Sequence, residues 1–247
     1  MTTTTTLPAM DRSRSVSHGE RRFTAVLLLV EGLLIFVPTI VLGAAIGWPA
    51  SLDYPAEQIL PLVATQLDQV RLGYGAYLLY SLLFFPTALL ATRALTGVSL
   101  ANPLLQIGIG FAALSTLARS IGIIRWLSAM PVLAALYGDP TQTESGRATI
   151  ATVFTTTNAF GGAIGEALGV SLCAAVWFGT LAFILVRSGS RWLGGAAAVV
   201  ALLLVATALE LLGVAVGPLI TVGTTGVQLW FIAAGVKLLV SARSAAV

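Results

Sequence analysis

Residues 103–137 read PLLQIGIGFAALSTLARSIGIIRWLSAMPVLAALY, an apolar run whose only charges are Arg119 and Arg125. The hydrocarbon core of a bilayer is about 30 Å thick and takes about 20 apolar residues per helical crossing. At about 1.5 Å per residue this run extends about 50 Å as a helix. It must therefore tilt, kink near Gly122 or Pro131, or project beyond the membrane. Asn102 is a good N-cap, and Pro103 occupies the first helical position, where its missing N–H costs nothing.

Outward from this run, five more stretches meet the same criterion: 23–47, 72–92, 164–187, 191–213 and 219–241. The expected fold is all-α, a polytopic bundle of six transmembrane helices with two outer amphipathic connections. Composition agrees, with 57% hydrophobic and 9% charged residues and a mean hydropathy of +0.95. A soluble domain carries about 25% charged residues, and a disordered chain needs low hydrophobicity. A single cysteine, Cys173, excludes a disulfide scaffold. Residues 1–22, polar and threonine-rich, read as a disordered cytoplasmic tail, 23–241 as the membrane domain, and 242–247 as a short cytoplasmic tail. The first apolar stretch exceeds a signal-peptide core and reads as a retained signal anchor.

The first connection, residues 48–71, holds three prolines and a mixed-face stretch from Gln58 to Val70. The second, residues 138–163, opens on the turn Gly138-Asp139-Pro140 and continues as an amphipathic stretch from Arg147 to Phe160. Each reads as an interfacial helix capping the bundle, or as a lid over a site. Basic residues sit at the ends of apolar runs, a topology signal, and not on one face as nucleic acid requires. With the N-terminus inside, nine lie on the cytoplasmic side (Arg12, Arg14, Arg21, Arg22, Arg93, Arg187, Arg191, Lys237, Arg243) and only Arg71 and Arg147 outside. Both termini are then cytoplasmic. Twelve Arg against one Lys reads as GC-rich coding and points to a bacterial cytoplasmic membrane.

Five ionisable residues fall inside the spans: Glu31, Arg119, Arg125, Glu166 and Glu210. Each costs about 2.5–3.5 kcal/mol at a helix centre on insertion scales, so it must snorkel, neutralise or pair. Counting along straight helices puts Arg119 about 24 Å into span three and Arg125 about 9 Å further. The same count puts Glu166 in the first turn of span four and Glu210 about 28 Å along span five. These four share the outer third of the membrane and form the expected buried charge cluster, which either organises the bundle or binds a substrate or proton. Arg125, beside Trp126, also reads as an interfacial snorkeller. Glu31 is an isolated acid in the inner half, with Arg21, Arg22 and Arg93 as its nearest cations by depth.

Gly161, Gly165 and Gly169 repeat every four residues and predict a face for close helix packing. Tyr74, Tyr77 and Tyr80 recur every three, lining the bundle or facing lipid. The one histidine, His18, lies in the expected tail. No metal or haem site, cofactor motif or nucleophile–base pair is present, so no catalytic residue, metal or cofactor is expected. Prolines 38, 86 and 218 are candidate interruptions of spans one, two and six.

The ordered set Arg119, Arg125-Trp126, Pro131, Asn158, Gly161, Gly165-Glu166-Ala167-Leu168-Gly169 and Arg191-Trp192-Leu193-Gly194 resembles the bacterial six-span proteins grouped as domain of unknown function 4386, over roughly residues 20–241. In that family a histidine often follows the motif glutamate; Ala167 stands there here. The resemblance implies an integral membrane protein and carries no activity with it. Three functions follow, in this order: a non-catalytic membrane protein whose charge cluster organises the bundle and a membrane partner or second copy; a small-solute or proton-coupled permease using Arg119 and Glu166 at an outward cavity; an intramembrane enzyme using carboxylates alone.

Overall fold

A computed structural model describes residues 16–217 and 219–244. The expected tail over 1–15, Pro218 and residues 245–247 lie outside them. Six helical rods among the described residues are long and apolar enough to cross a membrane. The first combines α1 (His18–Leu34) and α2 (Phe36–Ile46). After α3 (Ala56–Thr65) comes α4 (Leu67–Thr96). The third span is α5 (Pro103–Leu127) with α6 (Ala129–Tyr137). The fourth is α7 (Glu144–Gly162), a π-helical segment over Ala163–Cys173, and α8 (Ala174–Arg187). The last two are α9 (Arg191–Thr207) and α10 (Leu219–Ser244).

Several boundaries differ from the sequence reading, each for a local reason. The first helix starts at His18, not Phe23. Ser17 and Glu20 have capping-box spacing, the Ser17 hydroxyl accepts from the Glu20 amide at 3.2 Å, and Glu20 pairs with Arg93 at 3.0 Å. The second span starts at Leu67, directly after α3. The third run breaks at Ser128 (φ −121°, ψ −69°). Pro131 lacks the N–H that would bond to Leu127, and its ring crowds that carbonyl; Gly122 stays helical.

The largest difference is the fourth span. The expected interfacial helix of the second connection is its own N-terminal extension, giving one rod from Glu144 to Arg187. The threonines there do not interrupt it, because Thr152, Thr155 and Thr156 turn their hydroxyls back to the carbonyls four residues earlier. A rod of 44 residues runs to roughly 60 Å, about twice the hydrocarbon thickness, so its first part stands outside the core.

Two apolar cores result. One is aromatic: Phe84, Trp177, Phe178, Trp230 and Phe231 bring ring centroids within 4.6 to 6.2 Å of one another. The other gathers α2, α3, α6 and the start of α7 around Ile59, Trp126, Met130 and Phe154. Around both, large apolar side chains such as Ile40, Phe160 and Leu202 stay about 70% exposed, which is stable only against lipid. The polar residues of interest lie between the two cores.

Candidate functional site

The close crossing of α5 and the π-helical segment builds the site. An added Cβ at Gly165 would come within 3.0 Å of Gly122 Cα, and one at Gly169 within 2.9 Å of the Arg119 backbone nitrogen. At Gly161 it would overlap Arg125 Cδ. The predicted glycine face is therefore a packing face, and Gly122 is its partner on α5. Ser115 crosses the same contact, donating its hydroxyl to the Gly169 carbonyl at 2.7 Å. Such winding is rare and recurs at functional sites; here it turns Glu166 toward the space between helices.

The expected four-charge cluster is divided. Arg125 is buried at 8% exposure and does not snorkel. Its Nη1 donates to the Gly122 carbonyl at 2.8 Å and its Nε to Asn158 Oδ1 at 3.3 Å, and its Nη2 lies 3.6 Å from Glu166 Oε1. Asn158 Nδ2 in turn donates to the Leu52 carbonyl at 2.8 Å. One polar chain thus ties α5, α7, the π-helical segment and the loop after α2. Buried side-chain donors need such partners.

Arg119 pairs with neither Glu166 nor Glu210. Its guanidinium carbon lies 4.6 Å from the Tyr80 ring centroid and 4.9 Å from that of Phe84, a cation–π arrangement. Tyr80, Tyr77 and the acid Glu31 lie within electrostatic range of it. Glu31 is fully buried, and neither oxygen has a hydrogen-bond partner among the described residues. Glu31 makes no ion pair among the described residues, and Arg93, one of the cations expected near it by depth, holds Glu20 instead. Glu210 sits in a 3-10 turn (Ala208–Leu212) ending α9. It is exposed and makes no ion pair among the described residues, though it lies within electrostatic range of Glu166.

Between the two cores lies a cavity of about 400 Å³. Arg119, Arg125, Glu166 and Glu210 all line it, but of the four only Arg125 and Glu166 pair. Its aromatic wall answers the open question on the tyrosines: Tyr74, Tyr77 and Tyr80 line it. Tyr74 stacks on Trp126 at 5.0 Å, and Tyr77 meets Trp48 edge-on at 5.7 Å. Gln228, which the sequence reading passed over, donates to the Tyr80 hydroxyl at 2.8 Å. A lone amide in an apolar span was the available signal.

Among the buried polar atoms of this wall, Arg119 Nε, the Trp48 and Trp126 indole nitrogens and Tyr74 Oη, all donors, have no partner among the described residues, and Gln228 Oε1 is an unused buried acceptor; the exposed Glu166 and Glu210 carboxylates line the same space. Arg119, Tyr74 and Trp126 are at most 5% exposed. Such a surface suits a group rich in acceptor oxygens. Among the described residues no group of three His, Cys, Asp or Glu converges to hold a metal ion.

No family model matches this chain, and no curated protein or solved structure matches it.

Proposed function

We propose that this chain is a non-catalytic multi-pass protein of a bacterial cytoplasmic membrane that binds a small molecule in the cavity, Arg119 being the binding cation and Arg125–Glu166 a structural pair. The carrying observation is the cavity itself, into whose wall buried donors project without partners. Such groups cost about 1–3 kcal/mol each when left unmade, a cost that a bound acceptor removes. The size falls within the range of small-molecule pockets, about 300–1,000 Å³. A permease of the same site is the second reading, supported by the approach of the cavity to Arg119 deep in span three. Basic residues at alternate rod ends support cytoplasmic termini, and the ordered motif supports kinship with domain of unknown function 4386.

The test is cysteine accessibility in a Cys173→Ala background. Ala167→Cys, on the cavity wall, reacts with a charged, membrane-impermeant methanethiosulfonate. Leu202→Cys, 70% exposed in the lipid belt, does not. An inert Ala167→Cys in folded protein overturns the reading.

A further inference from the structure

The cavity has a side as well as an end. Low in the bundle α1 and α10 are sealed together: a Cβ at Gly32 would come within 2.8 Å of Ile232 Cγ1, and one at Gly235 within 3.0 Å of the Ala25 carbonyl. Above Gly32 the first span is interrupted at Ile35, between α1 and α2. Pro38 accounts for the interruption, since it leaves the Leu34 carbonyl without its helical N–H. Beyond it α2 leans on α4, where Leu42 fills the space over Gly73, and makes at most marginal contact with α10.

The cavity continues into the gap so formed. Phe36 and Thr39 line it from α2, and Thr221, Thr225 and Leu229 from α10. Phe36 is 50% and Leu229 62% exposed. They adjoin Ile40 and Val222, at 69% and 53% exposure, in the belt that faces hydrocarbon. Two of the threonines here are turned back on their own helices: Thr39 donates its hydroxyl to the Ile35 carbonyl at 2.8 Å, and Thr224 to the Ile220 carbonyl at 2.9 Å.

We propose that the cavity is the head-group site of an anionic membrane lipid that enters sideways between α2 and α10. The inference rests on the cavity reading above and names its ligand. Phosphate oxygens of the head take the unused donors of Arg119, Tyr74 and Trp126. Guanidinium–phosphate bonds are charge-assisted and strong. A space of about 400 Å³ does not hold a whole diacyl lipid, so the acyl chains stay in the bilayer and leave through the apolar gap. A water-soluble anion has no use for that gap.

The experiment is native mass spectrometry of the full chain in detergent, loaded either with palmitoyl-oleoyl phosphatidylglycerol or with inorganic phosphate. Wild type retains a single phosphatidylglycerol per chain and no phosphate. Arg119→Gln loses the lipid, as does Thr225→Trp, which plugs the gap without touching the donors. Leu202→Trp, a bulky change elsewhere in the lipid belt, keeps it. Thermal unfolding verifies that each variant folds. In the Ala167→Cys protein, loading with phosphatidylglycerol slows thiol modification. Retention by all variants alike marks annular lipid only and overturns the proposal, as does binding of phosphate in place of lipid. An Ala167→Cys that reacts while no lipid is retained sinks the lipid and leaves the cavity reading standing; an unreactive one in lipid-free protein removes the cavity reading itself.

Discussion

Gly122→Ala tests whether the α5 crossing is as close as it must be to build the site. The added methyl would stand 2.7 Å from Gly165 Cα, 3.0 Å from the Gly161 carbonyl oxygen and 3.2 Å from Gly165 N. All three are backbone atoms and cannot rotate away. Carbon pairs rest at about 3.5–4.0 Å, so the helices must part by about 1 Å. Overpacking of this kind costs about 1–3 kcal/mol, against a gain of about 0.5–1 kcal/mol from replacing a helical glycine. The net is a loss of up to about 2.5 kcal/mol. For a chain of this size that lowers the melting temperature by up to about 10 °C. Parting the helices also stretches Arg125–Glu166 beyond 3.6 Å. The assay is thermal unfolding in detergent followed by tryptophan fluorescence. Gly110→Ala on the same helix, where a Cβ meets nothing within 4 Å, is the control and melts at or above wild type. A Gly122→Ala protein that melts with the control would refute the packing argument.

Further outcomes follow from the same contacts. Ser115→Ala, which frees the Gly169 carbonyl in a dry interface, costs about 1 kcal/mol of stability. Arg125→Gln costs more, about 1–3 kcal/mol, because it strands Asn158 and the Gly122 carbonyl. A double-mutant cycle with Glu166→Gln returns a coupling under about 1 kcal/mol, since the Glu166 side chain is 51% exposed. In the loop after α6, Thr141 donates through its N–H at 2.8 Å and its hydroxyl at 2.6 Å to Asp139, holding that carboxyl below its usual range. The stabilisation is therefore present above the ordinary aspartate pKa of about 3.9 and fades as pH falls through the lower folded value. An NMR titration of Thr141→Ala shows the Asp139 pKa moving back up.

The six crossings were legible because hydrocarbon demands long apolar runs, and no packing detail alters that demand. Breaks at Ile35 and Ser128 were legible from Pro38 and Pro131. The 44-residue fourth rod was not. Its Thr- and Gly-rich start has the composition of an interface, and π-helical winding leaves no periodicity that a reader of α-helices would notice. The common height of Arg125 and Glu166 was legible; their pairing was not singled out, because an arginine beside a tryptophan near the interface also reads as a snorkeller. The surroundings of Arg119 were not, because counting along straight helices gives depth without direction around the axis. The arginine that the count had assigned to Glu166 turns instead to the rings of Tyr80 and Phe84. Gln228 went unweighed and Gly122 was read only as a candidate kink, because each becomes informative only beside its neighbour across the bundle.

Two arginines six positions apart on α5 thus hold different roles, and hydrogen-bond capacity decides which. A guanidinium offers five N–H donors in a fixed fork. Arg125 directs its fork at a carbonyl, an amide oxygen and a carboxylate, so a ligand there would have to break bonds that hold four chain segments together. Arg119 rests its charge on two rings and keeps its Nε unused. An aromatic face stabilises a cation without occupying its donors in the fork plane. Adding an acceptor in that plane therefore keeps the ring contacts and satisfies an orphaned donor. Lysine at position 119 keeps the charge and the ring contact but loses the planar fork. Arg119→Lys should accordingly fold as wild type yet release phosphatidylglycerol more readily in native mass spectrometry. Equal retention by the two side chains would mean that charge alone holds the head group and that the fork geometry is irrelevant.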